Sequence, residues 1–144
     1  MPRLSLAQAS TIVDAGLAKG RALGLKPLAI AVFDDASVLR ALKMEDGGTL
    51  MRPKIAEAKA YTAVAMGMAT RALVDRAKNA PVFMTALGQL ADGKIVTVPG
   101  GVVIRDAQGA MLGSVGVSGD TSDQDEVCAV AGIEAAGLTA DTGA

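Results

Sequence analysis

Apolar residues recur at helical spacing over residues 6–23, with Ile12, Ala15, Ala18 and Leu23 falling along one side. Ser5 precedes this run as an N-cap, Gln8 three residues on completes a capping box, and Gly24 ends the helix. Past Pro27 the pattern changes to short apolar runs. Residues 28–33 read as a buried strand, Asp34-Asp35-Ala36-Ser37 as turn chemistry, and residues 38–44 as a returning strand. Asp34 and Asp35 could also pair for acid–base work, but turn carboxylates are much commoner. Glu45-Asp46-Gly47-Gly48-Thr49 is a loop, and Pro53 fits a first helical position. A long helix then covers residues 54–73, where Ala56, Ala60, Ala63 and Gly67 form a nearly smooth face open to close approach.

Asp75, Arg76, Lys78 and Asn79 mark a polar end, and Pro81 stops any continuation. Residues 82–90 fit either a short helix or a lid-like loop. Asp92-Gly93 turns the chain into a strand over residues 95–98. Pro99-Gly100-Gly101 is a turn, residues 102–104 a β-branched strand, and Asp106 to Gly109 a hairpin turn. The return strand, residues 111–117, is bare at Gly113 and Gly116, with Gly119 just beyond, which suits close approach by another backbone or a ligand. Ser122 and Asp125 form an S-x-x-D capping box for a helix to about residue 136, and the tail after Leu138 reads as frayed. The order is α-β-β-α-(α)-β-β-β-α. Strands joined by short hairpins predict an α+β fold: a single-layer antiparallel sheet with helices on one or both faces, in one domain over residues 1–144.

Composition sharpens this picture. The chain is 51% hydrophobic but only 2% aromatic, so its core must be built from Ala, Val, Leu, Ile and Met. Burial by small side chains is limited, which favours a homo-oligomer. A net charge of −1 without a basic stripe argues against nucleic acid. No run approaches the roughly 20 apolar residues that span a bilayer. A lone cysteine, Cys128, suits a reducing compartment, so the cytoplasm is the expected location. Histidine is absent altogether. That excludes Ser-His and Cys-His nucleophile pairs, histidine-based zinc sites and the usual haem ligand. A metal centre is therefore not expected, although Asp120, Asp123, Asp125 and Glu126 could together hold a hard cation.

Candidate chemistry gathers on the long helix. Glu57, Lys59 and Tyr61 interrupt its apolar pattern. Lys59 reads either as a solvated position or as a lysine held against an apolar wall, able to bind an anion or act as base. Glu57 and Lys59 are two apart and do not share a helical face. Gly100 and Gly101 could offer backbone N–H groups to an anion. Met66 and Met68 read as core filler, and Cys128 as a buried inert thiol.

Three motifs in order resemble the GlcG/HbpS family, which also includes the C-terminal domain of PduO-type proteins. Residues 56–62, AEAKAYT, are similar to its A-x-x-K-A-x-T helix. Residues 99–104, PGGVVI, are similar to its P-G-G-x-P-I turn. Residues 113–119, GSVGVSG, followed by Gln124-Asp125-Glu126, are similar to its G-A-I-G-V-S-G…D-E segment. The resemblance covers about residues 6–138 and implies about five antiparallel strands flanked by helices, commonly in an oligomer. It also implies a bound small molecule, haem or another tetrapyrrole. Relatives often carry D-x-G-G-H in the first hairpin, where this chain has Asp34-Asp35-Ala36-Ser37-Val38.

Two functions compete. In a binding protein, Arg52, Lys54 and Lys59 would pair with ligand carboxylates, Tyr61, Gly100, Gly101 and Glu126 would complete the site, and Met44, Met51 or Tyr61 would replace histidine on haem iron. In a cofactor-independent isomerase, lyase or hydrolase acting on an organic acid or aromatic catabolite, Lys59, or else Glu57, would move a proton. A purely structural oligomer is the third reading.

Overall fold

The structure, a computed structural model, describes residues 3–143. Helix α1 (Leu6–Ala22) leads to the hairpin β1 (Ala29–Asp34) and β2 (Leu39–Met44), then to α2 (Met51–Met66). A 3-10 turn (Thr70–Leu73) and two short helices, α3 (Val74–Asn79) and α4 (Pro81–Leu90), follow. The hairpin β3 (Gly101–Arg105) and β4 (Met111–Ser118), helix α5 (Ser122–Ala135) and strand β5 (Thr139–Asp141) complete the chain. The five strands form one antiparallel sheet in the order β2-β1-β4-β3-β5. The fold is α+β, with helices on both faces.

The pleat of the sheet sorts its side chains. Ile30, Val32, Val102, Ile104, Val115 and Val117 point to one face, where Ile12, Val13, Cys128 and Ile133 of α1 and α5 meet them. Ala29, Ala31 and Phe33 point to the other, beneath Ala56 and Ala60 of α2. Branched aliphatic residues fill the first face, while alanines meet on the second, with Phe33 at its edge. On the second, a Cβ built on Gly116 would run into the Ala56 carbonyl oxygen and lie 2.7 Å from the Ala60 nitrogen. The Ser114 hydroxyl donates to the Ala60 carbonyl at 2.6 Å. Helix α2 therefore lies backbone to backbone on β4, the contact that the bare return strand and the smooth alanine face call for.

Capping of α1 is as the sequence predicts: the Ser5 hydroxyl accepts from the Gln8 N–H and the Gln8 side chain accepts from the Ser5 N–H. Elsewhere the structure corrects local expectations. The long helix starts at Met51, placing Pro53 within the first turn, where no intrahelical N–H bond is lost. It ends at Met66 rather than at residue 73, because Gly67 caps it in the left-handed conformation (φ 68°). The ambiguous stretch 82–90 is helix α4, with Pro81 in its first turn. Residues 95–98 are not a strand. The Thr62 hydroxyl donates to the Lys94 carbonyl and accepts from the Val96 N–H, tying this segment to α2 instead of the sheet.

The fifth strand comes instead from the tail expected to fray. Thr139–Asp141 pairs with β3, and Arg105 fastens it to Asp141 at 2.8 Å; Ala144 lies outside the described residues. The α5 cap also differs. Thr121, not Ser122, is the N-cap, accepting from the Gln124 N–H, and Asp125 turns inward. Among the described residues, no helix is long and apolar enough to cross a membrane.

Candidate functional site

Helix α2 presents different chemistry on its two sides. Met51, Lys54, Ile55, Ala58 and Tyr61 recur three or four residues apart and, with Glu57, line a cavity of about 680 Å³. The opposite wall is Phe33 from the end of β1 and Ser37 from the β1–β2 turn, and Gly93, Lys94 and Val96 from the tied segment close it. The volume lies in the range of small-molecule sites, and the walls are mostly apolar with a few polar groups, as in such sites generally. The Lys94 ammonium stands 5.4 Å over the Tyr61 ring. Among the described residues, none of Lys54, Glu57 and Lys94 takes part in an ion pair. Two free cations against one free carboxylate give the cavity a bias toward anions.

Lys59 lies on the other side of α2, 2% exposed. Its ammonium donates to the Val117 carbonyl at 2.9 Å and to Asp125 Oδ2 at 3.2 Å, and Asp125 Oδ1 accepts from the Asp120 N–H at 3.0 Å. Gly100 and Gly101 wrap this lysine. A Cβ on Gly100 would sit 2.6 Å from Lys59 Nζ, and one on Gly101 would sit 2.5 Å from the Lys59 carbonyl oxygen. The Gly101 N–H is bonded to the Thr70 hydroxyl at 2.9 Å and is not free for an anion. Burial pushes the Lys59 ammonium below its ordinary range, with Asp125 opposing the shift, and burial raises Asp125, with Lys59 opposing. The three motifs of the sequence thus converge on one buried ion pair joining α2, the Gly100-Gly101 turn, β4 and α5.

The other candidates scatter. Lys54, Glu57, Met51 and Tyr61 share the cavity. Arg52 reaches toward Ser118 on the sheet side, with its Nη1 3.4 Å from the Ser118 hydroxyl. Met44 lies beside Arg21, Pro27 and Glu45 in a separate surface groove. Glu126 is held by Arg71, which also binds Asp123 at 2.6 Å. Asp120 accepts from the Lys26 and Thr121 N–H groups. The acidic residues at the start of α5 are therefore divided among Lys59, Arg71 and backbone N–H groups, with Asp123 and Glu126 sharing Arg71, and among the described residues no three His, Cys, Asp or Glu side chains gather as a metal site. Cys128 is buried, and burial together with nearby Asp125 pushes its thiol up to about 11. Asp34 holds the β1–β2 turn together, its Oδ1 accepting from the Ala36 and Val38 N–H groups.

Sequence reasoning missed Ser37 and Lys94. The first sits in a turn and the second between the Asp92-Gly93 turn and the run read as a strand, and neither has a motif. The stripe Met51, Lys54, Ala58, Tyr61 was the available signal for the cavity face of α2.

No curated protein matches the chain. Among solved structures it is similar to the haem complex of PduOC, at 26% identity and a TM-score of 0.87, over 97% of this chain and 99% of that one. It is similar to HbpS at 27% identity and 0.78, over 93% and 90%, and a double mutant of HbpS from Streptomyces reticuli matches at 26% and 0.78, over 93% and 87%. The Klebsiella pneumoniae protein ORFY shares the fold at 20% identity and 0.85, over 95% and 93%. The model of the HbpS-like family, described as haem degrading protein HbpS-like, matches residues 4–134, and the chain belongs to that family.

Proposed function

We propose that the protein binds a small anionic ligand of the haem or tetrapyrrole class in the cavity between α2 and the β1–β2 turn. The carrying observation is the cavity itself: apolar walls from Phe33, Ile55 and Val96, with Lys54 and Lys94 unpaired beside them. A flat macrocycle needs such walls, and its propionates need such cations. The donor set fits haem without histidine, because tyrosine and methionine both serve as haem ligands and Tyr61 and Met51 line the cavity. Bound haem would supply a redox-active iron there; Lys54 and Lys94 would hold its carboxylates. Family membership and the haem complex of PduOC make haem the tetrapyrrole to test first. Binding is favoured over the cofactor-independent enzyme because Lys59, the first choice of base, lies behind α2 and is spent on Asp125, which leaves Glu57 as the enzyme's remaining base in a cavity whose other charges are the Lys54 and Lys94 ammoniums.

Titration with haemin should give a saturable Soret change. Tyr61→Phe or Met51→Leu should shift the band, while Met44→Leu, in the other groove, should leave it unchanged. A flat titration of the wild type would remove the tetrapyrrole reading.

The homo-oligomer belongs to the same reading and is supported by α4. This helix carries no charge and has α3 as its main packing partner, leaving Val82 and Leu90 each 83% exposed and Phe83 57% exposed. A helix apolar on several sides calls for burial. In light scattering, the wild type should exceed 14.4 kDa and Phe83→Asp should fall toward that monomer mass. A monomeric wild type would end the idea. The single buried thiol fits a cytoplasmic, reducing setting.

A further inference from the structure

Ser37 holds an unpartnered polar atom in the wall of the cavity. Its Oγ is the buried side-chain oxygen without a hydrogen-bond partner among the described residues, and Ser37 lines the space beneath Tyr61 and Lys54. The backbone around it is held by four hydrogen bonds. The Ser37 N–H donates to the Asp34 carbonyl at 3.0 Å, the Asp34 N–H donates to the Val38 carbonyl, and Asp34 Oδ1 takes the N–H groups of Ala36 and Val38. Ser37 itself is left-handed, at φ 61°. Glycine or asparagine adopts that conformation at less cost than serine. A serine at this point therefore carries both backbone strain and an unsatisfied hydroxyl, two penalties that a glycine would remove. Strain of this kind persists where surrounding structure enforces it and often marks a ligand site.

From this we infer that Ser37 is a specificity-determining ligand contact, whose hydroxyl donates to a carboxylate of the bound molecule. Rotation about χ1 carries the hydroxyl from its covered, unpaired position into the cavity, and the ligand completes its hydrogen bonding. A carboxylate is the matching group, because the same cavity holds Lys54 and Lys94 without ion-pair partners. This inference rests on the binding function proposed above and assigns the ligand's acidic group to one wall of that cavity.

The test compares haemin with haemin dimethyl ester, which keeps the macrocycle and lacks free carboxylates, on wild type, Ser37→Gly and Ser37→Ala. Glycine fits φ 61°, so Ser37→Gly should melt at or above the wild-type temperature. Its haemin affinity should nonetheless fall on the order of tenfold, the effect of losing a hydrogen bond to a charged group. Ser37→Ala should show the same loss, separating the hydroxyl from any loosening of the turn. For the ester, the ratio of wild-type to variant affinity should approach one. Equal haemin binding by wild type and both variants would overturn the role of Ser37 and leave the cavity reading intact. Failure of the wild type to bind haemin at all would overturn both.

Discussion

Replacing Lys59 with methionine is expected to lower folding stability by about 3–5 kcal/mol, the range seen when one member of a buried ion pair is removed. Asp125 would be left buried with only the Asp120 N–H on its other oxygen, and the Val117 carbonyl would lose its donor. Urea denaturation would read this as a lowered midpoint with little change in slope. The pH dependence separates the two partners. Burial holds Asp125 above its ordinary value of 3.8, and removing Lys59 takes away the main opposing charge. A carboxyl raised in the folded state contributes stability that is present below pH 3.8 and is lost as pH rises through the folded value. The deficit of Lys59→Met should therefore shrink in acid. In Asp125→Asn, Lys59 is left buried and lowered from 10.5, so that deficit shrinks as pH rises through the lowered value toward 10.5. A Lys59→Met, Asp125→Leu double variant should recover part of the loss. Full stability in Lys59→Met at neutral pH would show that the pair is not needed to hold the fold.

The buried pair also explains what was legible in the sequence. The lysine motif, the Gly100-Gly101 turn and the Asp125-Glu126 segment stood out as candidate binding residues, yet the structure gathers their central members around Lys59 as packing. A sequence shows that such residues are specified together; it does not show on which side of a helix they meet. Lys59 and Lys54 are five apart on one helix, and only the position of β4 and α5 decides that the first is covered and the second open. Strand and helix periodicity was readable wherever a segment was long, as in α1, α2 and β4. It failed at residues 95–98, where an apolar run is claimed by the Thr62 side chain, and at residues 139–141, where a polar tail is claimed by the open edge of β3. Both outcomes depend on a single distant partner. The cavity was half legible: its α2 side follows from helical spacing, whereas Ser37 comes from a turn and Lys94 from the irregular segment after one, with no periodicity to expose them.

Gly116→Ala is the second substitution expected to have a large effect, and it tests the contact that positions the cavity. The added methyl would meet the Ala56 carbonyl and the Ala60 nitrogen, both backbone atoms in α2 with no flexible side chain to turn aside. The helix must lift from β4, losing the Ser114 hydrogen bond to the Ala60 carbonyl and the packing of Ala56 and Ala60 on Ala29 and Ala31. Overpacking of this kind costs about 1–3 kcal/mol, and the absence of a soft neighbour places Gly116→Ala toward the upper end. Gly88→Ala is the matched control. Gly88 lies inside α4 with nothing within 4 Å of its added Cβ, so alanine there should gain about 0.5–1 kcal/mol from helix propensity alone. Two chemically identical changes should thus move the denaturation midpoint in opposite directions. Because α2 carries Lys54 and Tyr61 on its far side, the shift in Gly116→Ala should also weaken haemin binding, while Gly88→Ala should leave it unchanged. Wild-type stability in Gly116→Ala would mean that α2 can ride higher on the sheet without cost, and the close backbone contact would then no longer account for the glycine.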